Sequence, residues 1–156
     1  MEIGKFIIEH RGLEWPKLLV DWSWLLPKDI SVLFMNRFGD LFILLDDGSV
    51  SMLDVGSGTI ERVAASRDDF TLKIKSENLA NYWFMIPLLN KVEDAGITLC
   101  EGQCYGYLQS PVFGGDYSVE NTVVLPITEH LSVNADIHRQ IQYLPDDTEI
   151  KLVVTD

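Results

Sequence analysis

The stretch FGDLFILLDDGSVSMLDVGSGT, from Phe38 to Thr59, constrains the fold more than any other part of the chain. LFILLD, from Leu41 to Asp46, is a short run that is apolar on both faces, as a central strand of a sheet is. Asp47-Gly48 follows, a dipeptide that suits a tight hairpin because Asp and Gly tolerate positive φ. SVSMLDV then alternates, with Val50 and Met52 on one face and Ser49 and Ser51 on the other. Gly56-Ser57-Gly58 turns the chain again into TIERVA. Together with ISVLFMN (Ile30 to Asn36), the pattern predicts an antiparallel meander whose glycines are turns.

Helical spacing flanks the meander on both sides. Trp15, Leu18, Leu19, Trp22, Leu25 and Leu26 fall on one helical face, with Pro16 suited to a first turn and Pro27 ending the run. The tryptophans are expected in the core. Ser66 with Asp69 three residues on is a helix start. From Asn78 to Ala95 the stripe is Trp83, Ile86, Leu89 and Val92, with Pro87 kinking or splitting the helix and Gly96 stopping it. Strand material follows in ITLCEGQCYGY and TVVLPI. Val133, Ile137, Ile141 and Leu144 predict a further helix, and DDTEIKLVVTD a last strand. The expected class is α+β: an antiparallel or mixed sheet on a central meander at about residues 30–64, with helices packed against it.

A chain of 156 residues with 47% hydrophobic composition has volume for one well-packed domain, and the expectation is a single domain over 1–156. The longest apolar stretches are too short and too charged to span a bilayer. The N-terminal MEIGKFIIEHRG lacks the basic segment, apolar run and cleavage site of a secretory signal, so a cytoplasmic protein with no membrane partner is expected. Twelve Lys and Arg stand against 24 Asp and Glu, for a net charge of -12. The excess concentrates from Glu101 to Asp156, where nine acids face two bases. Such a balance argues against direct nucleic-acid binding, which needs a basic footprint, and favours fast encounter with a basic protein.

Candidate chemistry does not converge. Asp40, Asp46, Asp47 and Asp54 could ligate a metal, but the spacing of a calcium loop is missing, and the carboxylates are expected to lie spread over the exterior. Neither GSGT nor FGGDY matches a phosphate-binding loop. Cys100 and Cys104 form a C-x3-C pair without a second ligand cluster, best read as two reduced thiols around a turn. Cys104 or Cys100 with His130 or His138 could build a nucleophile, yet no local signature surrounds either cysteine, and His138 sits among polar neighbours like a solvated face. No catalytic residue, metal ligand or cofactor is therefore assigned.

What remains is CYGYLQSPVFGGDYSVE. Tyr105, Tyr107, Phe113 and Tyr117 lie among glycines, a proline and acids, either as core and loop-stiffening groups or as interface anchors. The candidate partner-binding residues are Tyr105, Tyr107, Phe113, Asp116, Tyr117 and Glu120. A competing reading makes residues 100–117 the lining of a pocket for a small molecule or substrate. A third is a scaffold acting as a homodimer.

NRFGDLF, DDGSVSMLDVGSGT, GITLCEGQCYGYLQSPVFGGDYSVEN and HRQIQYLPDD resemble the C-terminal domain of the type VI secretion DNase-immunity proteins. That domain is also found alone or behind a GAD-like domain. The resemblance runs from about Trp22 to the C-terminus. It implies a non-catalytic protein of the cell interior that binds and neutralises a toxin of nuclease type, and a cognate basic toxin as partner.

Overall fold

The computed structural model describes residues 2–9, 12–145 and 148. Its centre is a five-stranded antiparallel sheet in the order β1-β2-β3-β4-β5: β1 Ile7–Ile8, β2 Ile30–Asn36, β3 Leu41–Leu45, β4 Val50–Asp54 and β5 Thr59–Ala64. Each strand pairs with its sequence neighbour, as a meander requires. At the Asp47-Gly48 turn, Gly48 takes φ +85°. One oxygen of Asp47 accepts both the N–H and the hydroxyl of Ser49, at 2.9 and 2.6 Å. The aspartate here closes a turn.

Helices cover both faces of the sheet. After the short α1 (Trp15–Leu18) come α2 (Arg67–Ile74), α3 (Glu77–Phe84), α4 (Ile86–Asp94) and the long α5 (Ile127–Ile141). On one face Met35, Leu41, Ile43, Leu53 and Val55 pack against Trp22 and against Ile127, Leu131 and Ala135 of α5. On the other, Phe42, Val50 and Met52 meet Phe70, Ile74, Ala80, Trp83 and Phe84 of α2 and α3. Phe42 lies within aromatic contact of Phe34, Phe70, Trp83 and Phe84. Because both faces are covered, Ser49 and Ser51 are buried although alternation in the sequence sets them on an opposite, polar face.

Local signals explain the helix ends. The Ser66 hydroxyl accepts the Asp69 N–H while Asp69 accepts the Ala65 N–H, which fixes the start of α2. Pro87 splits the expected long helix into α3 and α4, and the junction residue Met85 is left-handed at φ 52°. Gly96, at φ +81°, ends α4 as its N–H and that of Ile97 turn back onto Glu93 and Val92. The Trp15–Leu26 helix is shorter than its spacing suggests. It breaks after Leu18 into a 3-10 turn, which lets the Trp22 indole donate to the Leu131 carbonyl at 3.0 Å.

A second, two-stranded sheet pairs β6 (Gln103–Tyr107) with β7 (Thr122–Pro126). It joins the main body through the Tyr105 N–H, which donates to the Arg37 carbonyl at 2.9 Å, and through a small core of Phe38, Leu88, Leu89, Val92 and Tyr105. The α+β class expected from sequence is the one observed. Most of the expected last strand, DDTEIKLVVTD, lies outside the described residues.

Candidate functional site

The conspicuous polar centre of the molecule is buried. α5 presents Ile127, His130, Leu131, Ala135 and His138 to the core, and this corrects the stripe of Val133, Ile137, Ile141 and Leu144 expected from spacing. Val133 and Leu144 are exposed. His138, expected on a solvated face, is 3% exposed. Each histidine occupies space that glycine leaves open. A Cβ on Gly39 would lie 2.6 Å from His130 Cδ2, and one on Gly106 would lie 3.0 Å from His130 Nδ1. A Cβ on Gly58 would fall within 2.2 Å of His138 Cγ. The glycines of NRFGD, CYGY and GSGT thus seat the two histidines that lock α5 to the sheet.

Beside them stands Asp40, which is buried, contrary to the expectation that the carboxylates lie on the exterior. Its oxygens accept the Val55 N–H at 2.9 Å and the Asn36 amide at 3.1 Å, while Asn36 Oδ1 accepts the N–H groups of Phe38 and Asp40. Burial, with Asp54 adding to it, raises the Asp40 carboxyl well above its usual range. This network organises the β2–β3 loop and ties it to the end of β4.

Cys104 and His130 come together at Gly39, whose Cβ would lie 3.4 Å from the Cys104 Sγ. Their chemistry is the reverse of an activated pair. Burial pushes the Cys104 thiol up to about 12 and the His130 imidazole down to about 4. A nucleophilic cysteine needs a depressed pKa and an exposed sulfur. Both cysteines are free, Cys100 exposed and Cys104 buried. Among the described residues no group of three or more His, Cys, Asp and Glu could hold a metal ion. Asp46 and Asp47 lie at the hairpin tip, and Asp54 Oδ1 accepts the Ser57 N–H at the other end of β4.

The loop between β6 and β7 carries most of the expected partner-binding residues, and it is rigidly built. Asn121 accepts the Gln109 N–H and donates to the carbonyls of Gln109 and Asp116, at 2.9, 2.9 and 2.8 Å. The Gln109 amide donates to the Phe113 carbonyl at 2.7 Å, and Gly115 fits where any Cβ would collide with the Gln109 carbonyl. The six expected residues separate into layers. Tyr105 is 1% exposed and donates its hydroxyl to the Ile97 carbonyl at 2.6 Å, so it belongs to the core and leaves the contact surface. Tyr107 is half-buried and stacks on Phe38, and Phe113 is partly buried. Asp116, Tyr117 and Glu120 are exposed.

Two surface features adjoin this loop. On one side lies a cleft of about 640 Å³ lined by Ser110, Val112 and Phe113 of the loop and by His130, Val133 and Asn134 of α5. On the other side Tyr107 meets Tyr117 edge-on at 5.5 Å, and the Tyr107 hydroxyl points to the Met85 sulfur at 3.7 Å. Tyr82, in the last turn of α3, is 62% exposed, and Tyr117 is 56% exposed. Nothing in the sequence singles out Tyr82. Tyr82 reads as one aromatic of a core helix, and the fold leaves it exposed.

Ion pairs among the described residues with known partners, Lys17–Glu14, Lys73–Asp69 and Arg139–Asp136, join neighbours on single helices or their caps. None engages Asp54, Glu61, Asp116 or Glu120.

Residues 64–138 match the family model described as T6SS immunity protein Tdi1, C-terminal. The match supports the family resemblance read from the sequence, over a shorter span than Trp22 to the C-terminus. No curated protein matches the chain. Solved structures similar to it include the crystal structure of Atu4351 from Agrobacterium tumefaciens, at 19% identity and a TM-score of 0.49. The alignment covers 68% of this chain and 53% of that one, so the chain spans about half the length of that protein. Among the described residues no helix is long and apolar enough to cross a membrane.

Proposed function

We propose that this chain, whose residues 64–138 match the C-terminal domain of the type VI secretion immunity family, is itself an immunity protein. It acts without catalysis, by binding a toxin of nuclease type through an acidic surface. The observation that carries this reading is the contrast between the two polar regions. The buried Cys104, His130 and Asp40 are held in unreactive protonation states and used for packing, whereas the exposed Asp116 and Glu120 of the β6–β7 loop have no ion-pair partner among the described residues. A nuclease presents a basic face to its nucleic-acid substrate, and an acidic domain of net charge -12 is drawn to such a face. Asp116, Tyr117 and Glu120 supply the charge and the aromatic anchor there. Co-expression with the toxin encoded beside this gene tests the reading. Growth is expected to be rescued by the wild type, and continued killing at equal expression would refute it.

The cleft between the loop and α5 favours a second reading, a small-molecule site around residues 100–117. Its volume suits a ligand, and Leu108, Val112 and Val133 give it an apolar rim. A ligand held there would protect the amides of 108–113 from exchange without any toxin present.

A further inference from the structure

We infer that the outer edge of β2 is a self-association surface, at which two copies of this chain pair antiparallel across a two-fold axis at Val32. The inference is independent of the toxin-binding reading. β1 covers only the far end of β2, opposite Met35 and Asn36. Over Ile30–Phe34 the described residues give β2 a strand partner on the β3 side alone. The other edge of the sheet is guarded. On β5, Glu61 and Arg62 are exposed and Lys73 Nζ donates to the Val63 carbonyl at 3.3 Å. Charge on an edge strand disfavours pairing with another chain. The β2 edge reads Ile-Ser-Val-Leu-Phe, with no charge, and all five residues are exposed or half-buried.

The two ends of this edge say what fits it. Ser31 pairs with Leu44, so both project from the face that α2 and α3 cover. There they line a hollow of about 370 Å³ together with the exposed Asp29 and Asp46. Leu33 and Phe34, further along β2 on the same face, border a hollow of about 310 Å³ with the exposed Arg67 and Lys75. One end is acidic and the other basic, and among the described residues none of these four charges is in an ion pair. A two-fold axis normal to the sheet keeps like faces on one side and reverses the strand. Val32 then meets the partner's Val32, and Leu33 stands opposite the partner's Ser31, the smallest side chain of the edge. The acids of each copy face the bases of the other, twice, which is the self-complementarity an isologous contact requires. On the α5 face Leu19, Leu26, Ile30 and Val32 line an apolar groove of about 440 Å³, with Lys28 at its rim, and the axis joins the two grooves into one seam. The β6–β7 loop approaches the sheet elsewhere, at the β4–β5 turn: a Cβ on Gly56 would lie 3.6 Å from Tyr107 and 4.0 Å from Pro111. Pairing at β2 therefore leaves that loop free on both copies.

Sedimentation equilibrium of the full chain over a concentration series tests this. The wild type is expected to approach twice its monomer mass of 17.7 kDa as concentration rises. Ser31→Lys, at an exposed site, should raise the dissociation constant about tenfold or more by charging the edge. Arg62→Ala, on the guarded edge of β5, should leave it within about twofold. Asp29→Lys and Lys75→Glu should each weaken the dimer by about fivefold, since each is felt twice across the axis. The Asp29→Lys/Lys75→Glu double variant should recover most of that loss, because the exchanged charges face each other again. A chain that keeps its monomer mass at every concentration would overturn the proposal. A dimer indifferent to Ser31→Lys would overturn it too, by placing the contact elsewhere. A double variant as weak as the two single losses combined would overturn the antiparallel pairing at Val32.

Discussion

The junction of α5 with the main sheet and the loop between β6 and β7 use the same residue types for opposite ends. Both contain glycines, aromatics and polar groups. At the junction, glycines open space into which His130 and His138 insert, and burial keeps both imidazoles neutral at physiological pH. In the loop, Gly114 and Gly115 shape a turn that leaves Asp116, Tyr117 and Glu120 exposed. The difference teaches that a chemically suggestive set of residues is informative only with its exposure. Cys104, His130 and Asp40 look like a reaction centre in an inventory and are interior packing in the fold. Tyr82 looks ordinary in the same inventory and is exposed.

If the junction is a steric lock, filling its glycine seats should have the largest effect on the molecule. Gly58→Ala would place a methyl on His138 in a backbone conformation that alanine disfavours, and Gly39→Ala would do the same to His130. Each should cost about 3 kcal/mol or more in denaturant unfolding. Gly114→Ala, whose nearest neighbour would be the Gln109 amide at 3.9 Å, should cost only the strain of its left-handed backbone, about 1 kcal/mol. Equal losses at the two places would erase the comparison.

Acid should strain the junction next. His130 falls from an ordinary value of 6.5 to about 4 in the folded state, so the stability tied to its neutral form is complete above pH 6.5. It is lost as pH falls through 4, and the full loss is about 3 kcal/mol. Asp40, whose folded value is raised, works in the opposite sense and favours the folded state as it takes up a proton. Comparing the wild type with His130→Gln cancels Asp40. The variant should be less stable at pH 7 and should lose less between pH 6.5 and 4. Parallel curves would mean that His130 is not the buried titrating group.

A smaller effect separates the layers of the loop itself. Tyr105→Phe removes the hydroxyl that satisfies the Ile97 carbonyl and should cost about 1 kcal/mol. Tyr117→Phe should change stability by less than about 0.5 kcal/mol, because the ring is exposed.

Much of the scaffold was legible before the fold was known. Ile30–Asn36 and Thr59–Ala64 are strands with the expected bounds, the second because Gly-Ser-Gly punctuates the chain just before it. Pro87 split its helix for the reason proline must, since it offers no N–H. The stripe of α5 was misread because a periodicity count scores histidine as polar, and so passes over Ile127, His130, Leu131, Ala135 and His138. The seats that make those histidines apolar in effect lie some 70 to 100 residues away in sequence, on Gly39 and Gly58, and no local pattern connects them. The proposed contact surface was half legible. CYGYLQSPVFGGDY points to Tyr117 and Asp116, but β6 buries Tyr105 together with its neighbours Cys104 and Gly106, and no alternation in the sequence marks it.

The central claim is that the exposed acids act at a distance on a basic protein, while the buried ones serve the fold. Stopped-flow association with the toxin encoded beside this gene, measured against ionic strength, tests it most directly. The account predicts a rate that falls steeply with salt, and a lower rate with a shallower salt dependence when Asp116 and Glu120 are both replaced by lysine. An association rate indifferent to salt and to both substitutions would contradict it.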